Sequence, residues 1–443
     1  ATVWRMQSRG NTNLYLIDLD SGEEQWLTPH ESVAISTGSR FVGNDRILFQ
    51  SNVDREMLAL AEVRIDEAGK AGTLSYVAER DDAVLDDLLV DDAFAVAILG
   101  WNKAGRSELA VLDLDSMETT PIAELPAEIT GASDFSADGS MITLTASGSK
   151  APTDVWTLDL ATQALTQVTV SAHEGVDLES LVTPELVTYA AHDGLELSGW
   201  LYRPAGDGPA AYVLDFHGGP EGQERPTFNA TIQALLSQGI GVLAPNVRGS
   251  SGFGKTFVNL DNGILRKDAV RDIKASTDFL IGEGIADPDR LGIMGGSYGG
   301  YMVMAGLAEY PDLFAAGANL FGVVNFKTFF ENTEPWMAAI STVEYGDPET
   351  EADMLAELSP INKVDQVKAP TIVLHGANDT NVPVVEAEQV VDSLRQRDVP
   401  VKYVLFPDEG HGWSKTENRV TSTVEIVNWF ATYLLEEGAR SEG

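Results

Sequence analysis

Short apolar runs alternate with polar ones at a fixed interval through the first part of the chain. Leu14-Tyr15-Leu16-Ile17-Asp18-Leu19, Leu60-Ala61-Glu62-Val63-Arg64-Ile65, Leu109-Ala110-Val111-Leu112-Asp113-Leu114 and Val155-Trp156-Thr157-Leu158-Asp159-Leu160 recur every 46 to 49 residues. Three of these runs lead through turn-prone residues into another extended segment, as Asp20-Ser21-Gly22 does before Gln25-Trp26-Leu27-Thr28. Further strand pairs lie between the repeats, and Asp138-Gly139 between apolar runs is a hairpin signal. Evenly spaced strands suit a β-sandwich, but four short strands per period of this length describe a β-propeller blade. Residues 1 to about 170 hold three complete periods preceded by the outer half of another, about three and a half blades. A closed seven-bladed ring would need about 320 residues. The count therefore predicts an incomplete propeller over residues 1–172, in a chain that begins inside a blade and has more sequence before Ala1 in the natural protein.

The rhythm changes after Val170. Ser171 to Pro184 is polar, as a linker is, and residues 173–443 read as a second domain. Leu186 to Ala190 and Leu195 to Tyr202 flank His192-Asp193-Gly194 as a hairpin. Strands are predicted at Tyr212 to Phe216, Gly241 to Ala244, Leu291 to Met294, Ala315 to Ala318, Thr371 to His375 and Val401 to Phe406. Helical periodicity occupies Asn229 to Gln238, Asp268 to Ile281, Gly300 to Glu309, Val384 to Arg397 and Thr421 to Leu435. Strands alternating with helices give a doubly wound α/β domain, its mostly parallel sheet covered on both faces.

Charge changes this picture. The 443 residues include 68 acidic and 29 basic side chains, only 11 of them lysine, for a net charge of -39 spread along the whole chain. Nucleic acid is excluded as a partner, because a phosphate backbone repels such a surface. Acidic, lysine-poor surfaces suit molar salt, where the Debye length falls to about 3 Å, and a halophilic protein is expected. No run reaches the roughly 18 apolar residues of a membrane span, and the first residues lack a signal-peptide pattern, so no membrane partner is expected. With no cysteine there is no disulfide framework, thiol nucleophile or cysteine metal site. A cytoplasmic location is expected, with no metal or cofactor, and a homo-oligomer is compatible with the sequence.

The chemistry centres on Leu291-Gly292-Ile293-Met294-Gly295-Gly296-Ser297-Tyr298-Gly299-Gly300-Tyr301, an apolar strand running into Gly-x-Ser-x-Gly and then a helix. This is the pattern of a nucleophile elbow, whose glycines remove side chains that would strike the neighbouring strand and helix. In such folds the triad runs Ser, acid, His, each in a loop after a strand. His30, His173, His192, His217 and His375 come too early for that order, which leaves His411. Between Ser297 and His411, after the preceding strand, Asp379 is the candidate acid. Asp408 and Glu409 share the histidine's own loop and are expected to be solvated. The oxyanion donors expected are the backbone N–H of Tyr298 and, from His217-Gly218-Gly219-Pro220, that of Gly219. His217 is expected to brace this loop.

Asp215-Phe216-His217-Gly218-Gly219-Pro220, Asn246-Val247-Arg248-Gly249-Ser250-Ser251-Gly252-Phe253-Gly254, the Ser297 elbow, Gly376-Ala377-Asn378-Asp379 and Glu409-Gly410-His411-Gly412 occur in this order. Together they resemble the prolyl oligopeptidase family of serine peptidases, and the His-Gly-Gly-Pro loop is most similar to its acylaminoacyl-peptidase branch. The resemblance implies a propeller capping an α/β-hydrolase domain. Where prolyl oligopeptidase itself carries a tyrosine hydroxyl in the oxyanion loop, this chain has glycine, so strict cleavage after proline is not implied. In this family the region after the nucleophile helix walls the pocket for the residue before the scissile bond. Phe321, Phe329, Phe330 and Trp336 are thus candidate pocket residues, with plain core packing as the alternative. No paired-glutamate signature for gripping a free amino terminus stands out in the propeller part, which points away from a dipeptidyl-peptidase. The expected function is hydrolysis of short or N-acylated peptides. A carboxylesterase using the same triad, or a propeller binding protein with an idle hydrolase domain, are the alternatives.

Overall fold

The computed structural model describes residues 1–436, which divide into two compact units. The first comprises Ala1–Leu181 together with Arg225–Phe228 and Ser251–Asn259, and the second comprises Val182–Glu224, Asn229–Ser250 and the chain from Leu260 onward.

In the first unit the strands build four separate antiparallel sheets, not the two layers of a sandwich, and central strands such as Arg46–Ser51 and Val96–Lys103 are buried on both faces. Three have four strands: Ser36–Val42, Arg46–Ser51, Ala59–Arg64 and Ser75–Ala78; then Val84–Val90, Val96–Lys103, Arg106–Asp113 and Thr119–Pro121; then Ile129–Phe135, Met141–Gly148, Ala151–Asp159 and Leu165–Gln167. The sheet before them has three strands, Thr2–Ser8, Asn11–Ile17 and Glu24–Trp26, where half a blade is predicted. Thr2–Ser8 is hard to read from sequence because its apolar Trp4 and Met6 face solvent. Period-two alternation also stacks the blades. Ile47 and Phe49 pack toward Leu14 and Leu16 of the sheet before, while Leu48 and Leu60 pack toward Leu85 and Leu99 of the sheet after. Ile98 and Leu109 then meet Ile142 and Leu144.

The repeated aspartates cap the turns that end these strands. Asp18 Oδ1 accepts from the N–H of Asp20 and Ser21 and from the Ser21 hydroxyl, and Asp113 and Asp159 repeat the pattern with Ser116 and Thr162. Those hydrogen bonds favour the ionised form and hold all three carboxyls below the usual range. Two short excursions from the second half of the chain belong to this unit because of polar contacts that no local pattern announces. Arg225 donates to Asp86 (3.0 Å), Gly105 O and Ser107, and Thr256 donates to Glu56.

Elements are numbered within the second unit. Its sheet contains β1 (Glu185–Ala190), β2 (Glu196–Tyr202), β3 (Ala210–Phe216), β4 (Ile240–Asn246), β5 (Ala286–Gly296), β6 (Ala316–Leu320), β7 (Thr371–Gly376) and β8 (Val401–Phe406) in the order 1-2-4-3-5-6-7-8. The first three in this order pair antiparallel and the rest parallel. The helices are α1 (Ala230–Ser237), α2 (Arg266–Gly282), α3 (Tyr298–Glu309), α4 (Phe326–Asn332), α5 (Pro335–Tyr345), α6 (Ala352–Leu358), α7 (Val385–Arg395) and α8 (Thr416–Leu435). Apolar faces of α1 and α8 cover one side of the sheet, and those of α2, α3 and α7 cover the other. This is the α/β-hydrolase arrangement, which aims the carboxyl ends of the parallel strands at a common rim. The unpredicted α4 and α5 carry start signals: Asn325 accepts from Lys327 N–H as an N-cap, and Pro335 opens α5.

Candidate active site

Ser297 stands between β5 and α3 with φ 58° and ψ -118°, a left-handed state that a bulky side chain resists. The flanking glycines are dictated by crowding. A Cβ on Gly295 would lie 2.6 Å from the Gly299 carbonyl and 2.7 Å from Phe216 O, and one on Gly299 would lie 1.9 Å from Phe216 O. Gly299→Ala is therefore expected to lower stability by about 3 kcal/mol or more in urea unfolding. Gly282, where a Cβ meets nothing within 4 Å, is the matched control, and its alanine variant should unfold like the parent.

Three loops converge on Ser297 from the ends of β3, β7 and β8. His411 Nε2 lies 3.0 Å from Ser297 Oγ, and His411 Nδ1 lies 2.7 Å from Asp379 Oδ2. A carboxylate only accepts, so Nδ1 carries the proton in the neutral imidazole and Nε2 is left to accept from the serine hydroxyl. The Asp379 side chain is fully buried, and its Oδ1 accepts from the N–H groups of Asn381 and Val382 at 2.9 Å each. Sequence order thus selects the residues that the tertiary structure brings together.

Tyr298 is the first residue of α3, where N–H groups have no acceptor within the helix. Gly218 packs against the nucleophile, since a Cβ there would sit 3.2 Å from Ser297 Cβ, and Gly219 follows it with φ 131°. His217 spans this loop, with Nδ1 2.9 Å from Gly218 O and Nε2 2.7 Å from Ser250 Oγ. Burial holds its pKa down, and the Ser250 hydroxyl is itself anchored by donating to Val247 O at 2.6 Å. At the end of β3, burial pushes the Asp215 carboxyl up to about 7.

The Asp408 carboxylate pairs with Lys415 as a surface group does. Glu409 differs from the expected solvated residue: it is 2 % exposed and accepts from Ser414 N–H and Oγ–H, Lys415 N–H and Asn418. These bonds lower its carboxyl to about 2 and tie the His411 loop to the start of α8. Four donors outweigh the loss of water, and nothing in the local sequence discloses them.

The four aromatics separate. Phe321, at φ 40°, places its ring edge-to-face on His411 at 4.8 Å and on Trp413 at 5.3 Å. Phe329 is 2 % exposed and packs in the core against Tyr345 and the partly buried Phe330, so it offers no surface to a substrate. Trp336 is 55 % exposed on α5. Arg248, from the Asn-Val-Arg-Gly-Ser loop, is buried and binds Asp193 and Asp272 bidentately, which fastens the β1-β2 hairpin to α2. Glu386 is also buried and accepts from the N–H groups of Val324 and Asn325, which fixes the segment that leads from β6 into α4. Among the described residues no group of three His, Asp or Glu side chains could hold a metal ion, and no helix is long and apolar enough to cross a membrane.

Fold and constellation together define an α/β-hydrolase unit with a Ser-His-Asp triad. Residues 226–437 match the prolyl oligopeptidase family, and the chain belongs to that family through this unit. It is 35 % identical over 310 residues to dipeptidyl aminopeptidase BIII of Pseudoxanthomonas mexicana, a match covering 67 % of this chain and 44 % of that protein. To the acylamino-acid-releasing enzyme of Arabidopsis thaliana it is 33 % identical, over 50 % of this chain and 30 % of that one. The chain thus spans less than half the length of these relatives. The fold is shared with a Mycobacterium tuberculosis puromycin-hydrolyzing peptidase at a TM-score of 0.87 and 21 % identity, covering 98 % of this chain and 67 % of the other. An acylaminoacyl peptidase bound to Z-Gly-Gly-Phe-chloromethyl ketone gives 0.76 and 23 %, covering 98 % and 68 %.

Proposed function

We propose that this protein is a serine peptidase hydrolysing short or N-acylated peptides through an acyl-enzyme on Ser297. The observation that carries the reading is the continuous relay of Ser297 Oγ, His411 and Asp379 at 3.0 and 2.7 Å. Ser297 Oγ attacks the scissile carbonyl carbon as its proton passes to His411 Nε2, while Asp379 stabilises the imidazolium. The oxyanion takes hydrogen bonds from Tyr298 N–H and Gly219 N–H. His411 then returns the proton to the leaving amine, and water completes the second half by the same relay. Names borne by similar proteins, a dipeptidyl aminopeptidase and acylamino-acid-releasing enzymes, support peptides as the substrate class. A halophilic enzyme is part of the same proposal, supported by the net charge of -39. So is a cytoplasmic location, since a cysteine-free chain has no disulfide for an oxidising compartment to form.

The test is a fluorophosphonate label followed by a chromogenic panel in molar salt: peptide anilides with free or acetylated amino termini, and matched simple esters. Ser297 is expected to take the label, and the anilides, acetylated ones included, to be hydrolysed. Turnover of esters alone would make the protein a carboxylesterase. No labelling of the folded protein would leave a binding protein.

A further inference from the structure

His375 lies at the end of β7, fully buried at 0 % exposure, and the relay described above does not use it. Its Nε2 is 2.9 Å from Val382 O and 3.5 Å from Asp379 Oδ2, the oxygen that also receives His411 Nδ1. A carbonyl oxygen only accepts, so the hydrogen sits on Nε2, and Nδ1 is bare and buried without a hydrogen-bond partner. The N–H dipole therefore faces two groups of one loop: the carbonyl of Val382, whose own N–H binds Asp379 Oδ1, and the carboxylate itself.

We infer that His375 is a positioning residue for the triad acid, a neutral N–H donor that fixes the loop carrying Asp379 and the direction in which Oδ2 meets His411. The inference rests on the triad reading and extends it by one layer. Neutrality is essential to the role, because a second imidazolium at 3.5 Å would compete with that of His411 for the same oxygen. Burial supplies it by disfavouring the charged ring and holding the His375 pKa below its ordinary value. The bare Nδ1 marks the requirement. A histidine kept for packing alone gains nothing from an unpaired buried nitrogen, and an apolar side chain of similar size would avoid its cost.

The experiment compares His375→Leu, which keeps volume and loses the donor, with His375→Gln, whose amide N–H reaches the same distance as Nε2. Rates are referred to folded protein measured by circular dichroism, with Ser297→Ala in parallel. His375→Leu is expected to lower kcat and the fluorophosphonate labelling rate together by about 10- to 100-fold, with KM within about twofold, the range typical of partners that orient a reacting group. His375→Gln is expected to recover most of that loss. Equal rates in parent and Leu variant, or equal losses in the Leu and Gln variants, would overturn the inference while an inactive Ser297→Ala leaves the triad standing. An active Ser297→Ala would overturn the triad reading itself. If the Leu variant does not fold, the Gln variant decides: near-parental kcat and labelling support the donor role, and a loss as large as the range above overturns it.

Discussion

Ser297→Ala, His411→Ala and Asp379→Asn are each expected to reduce turnover by about 10⁴-fold or more, with little change in folding. The three act as one unit: the hydroxyl is 3.0 Å from Nε2 and the carboxylate 2.7 Å from Nδ1, so removing any member breaks the same proton path. Losses should accordingly not add, and the Ser297→Ala/His411→Ala double variant should be about as slow as either single one. Asp379→Asn is the most informative of the set. Its amide can donate to Nδ1, which would move the imidazole proton to Nε2 and turn the base away from the serine hydroxyl. Steady-state kcat/KM with a chromogenic peptide in molar salt measures all four variants. Activity within about tenfold of the parent in Ser297→Ala would remove the nucleophile assignment.

Withdrawal of salt is expected to have the other large effect. With 68 acidic against 29 basic residues, negative side chains outnumber positive ones by 39. At about 10 mM salt the Debye length is about 30 Å, so repulsion sums across the molecule, while near 1 M it shrinks to about 3 Å and only direct neighbours interact. Pairs between exposed side chains, such as Lys368 with Asp312, do little to offset this, because they are solvated and screened. Circular dichroism on dilution below about 1 M salt should show cooperative loss of structure, reversed when salt is restored. Unchanged melting temperature and full activity at about 50 mM salt would refute the halophilic reading.

The architecture and relay were legible in the sequence where the signal is local. Alternation along Arg46–Ser51 sends Ile47 and Phe49 to one neighbouring sheet and Leu48 to the other, and the period of such runs is enough to read blades. The elbow is legible because strand, turn and helix are contiguous, and because no residue with a Cβ fits at Gly295 or Gly299. Chain order selects Asp379 and His411 because a doubly wound sheet delivers each loop to the same rim.

What only tertiary structure decided concerns partners distant in sequence. Glu409 reads as a surface acid until the fold surrounds it with donors from Ser414, Lys415 and Asn418. Phe321 and Phe329 are equal in sequence, yet one meets the His411 ring and the other lies in the core, because Phe321 directly follows the end of β6 whereas Phe329 lies on α4, which packs inward. His375 is discarded by chain order and returns through its 3.5 Å approach to Asp379. Arg225, with no pattern around it, joins the first unit through Asp86. The physical reason is the same in each case. Backbone geometry and the period of burial are set by neighbours along the chain, whereas the environment of a polar side chain is set by whichever groups the finished fold places around it.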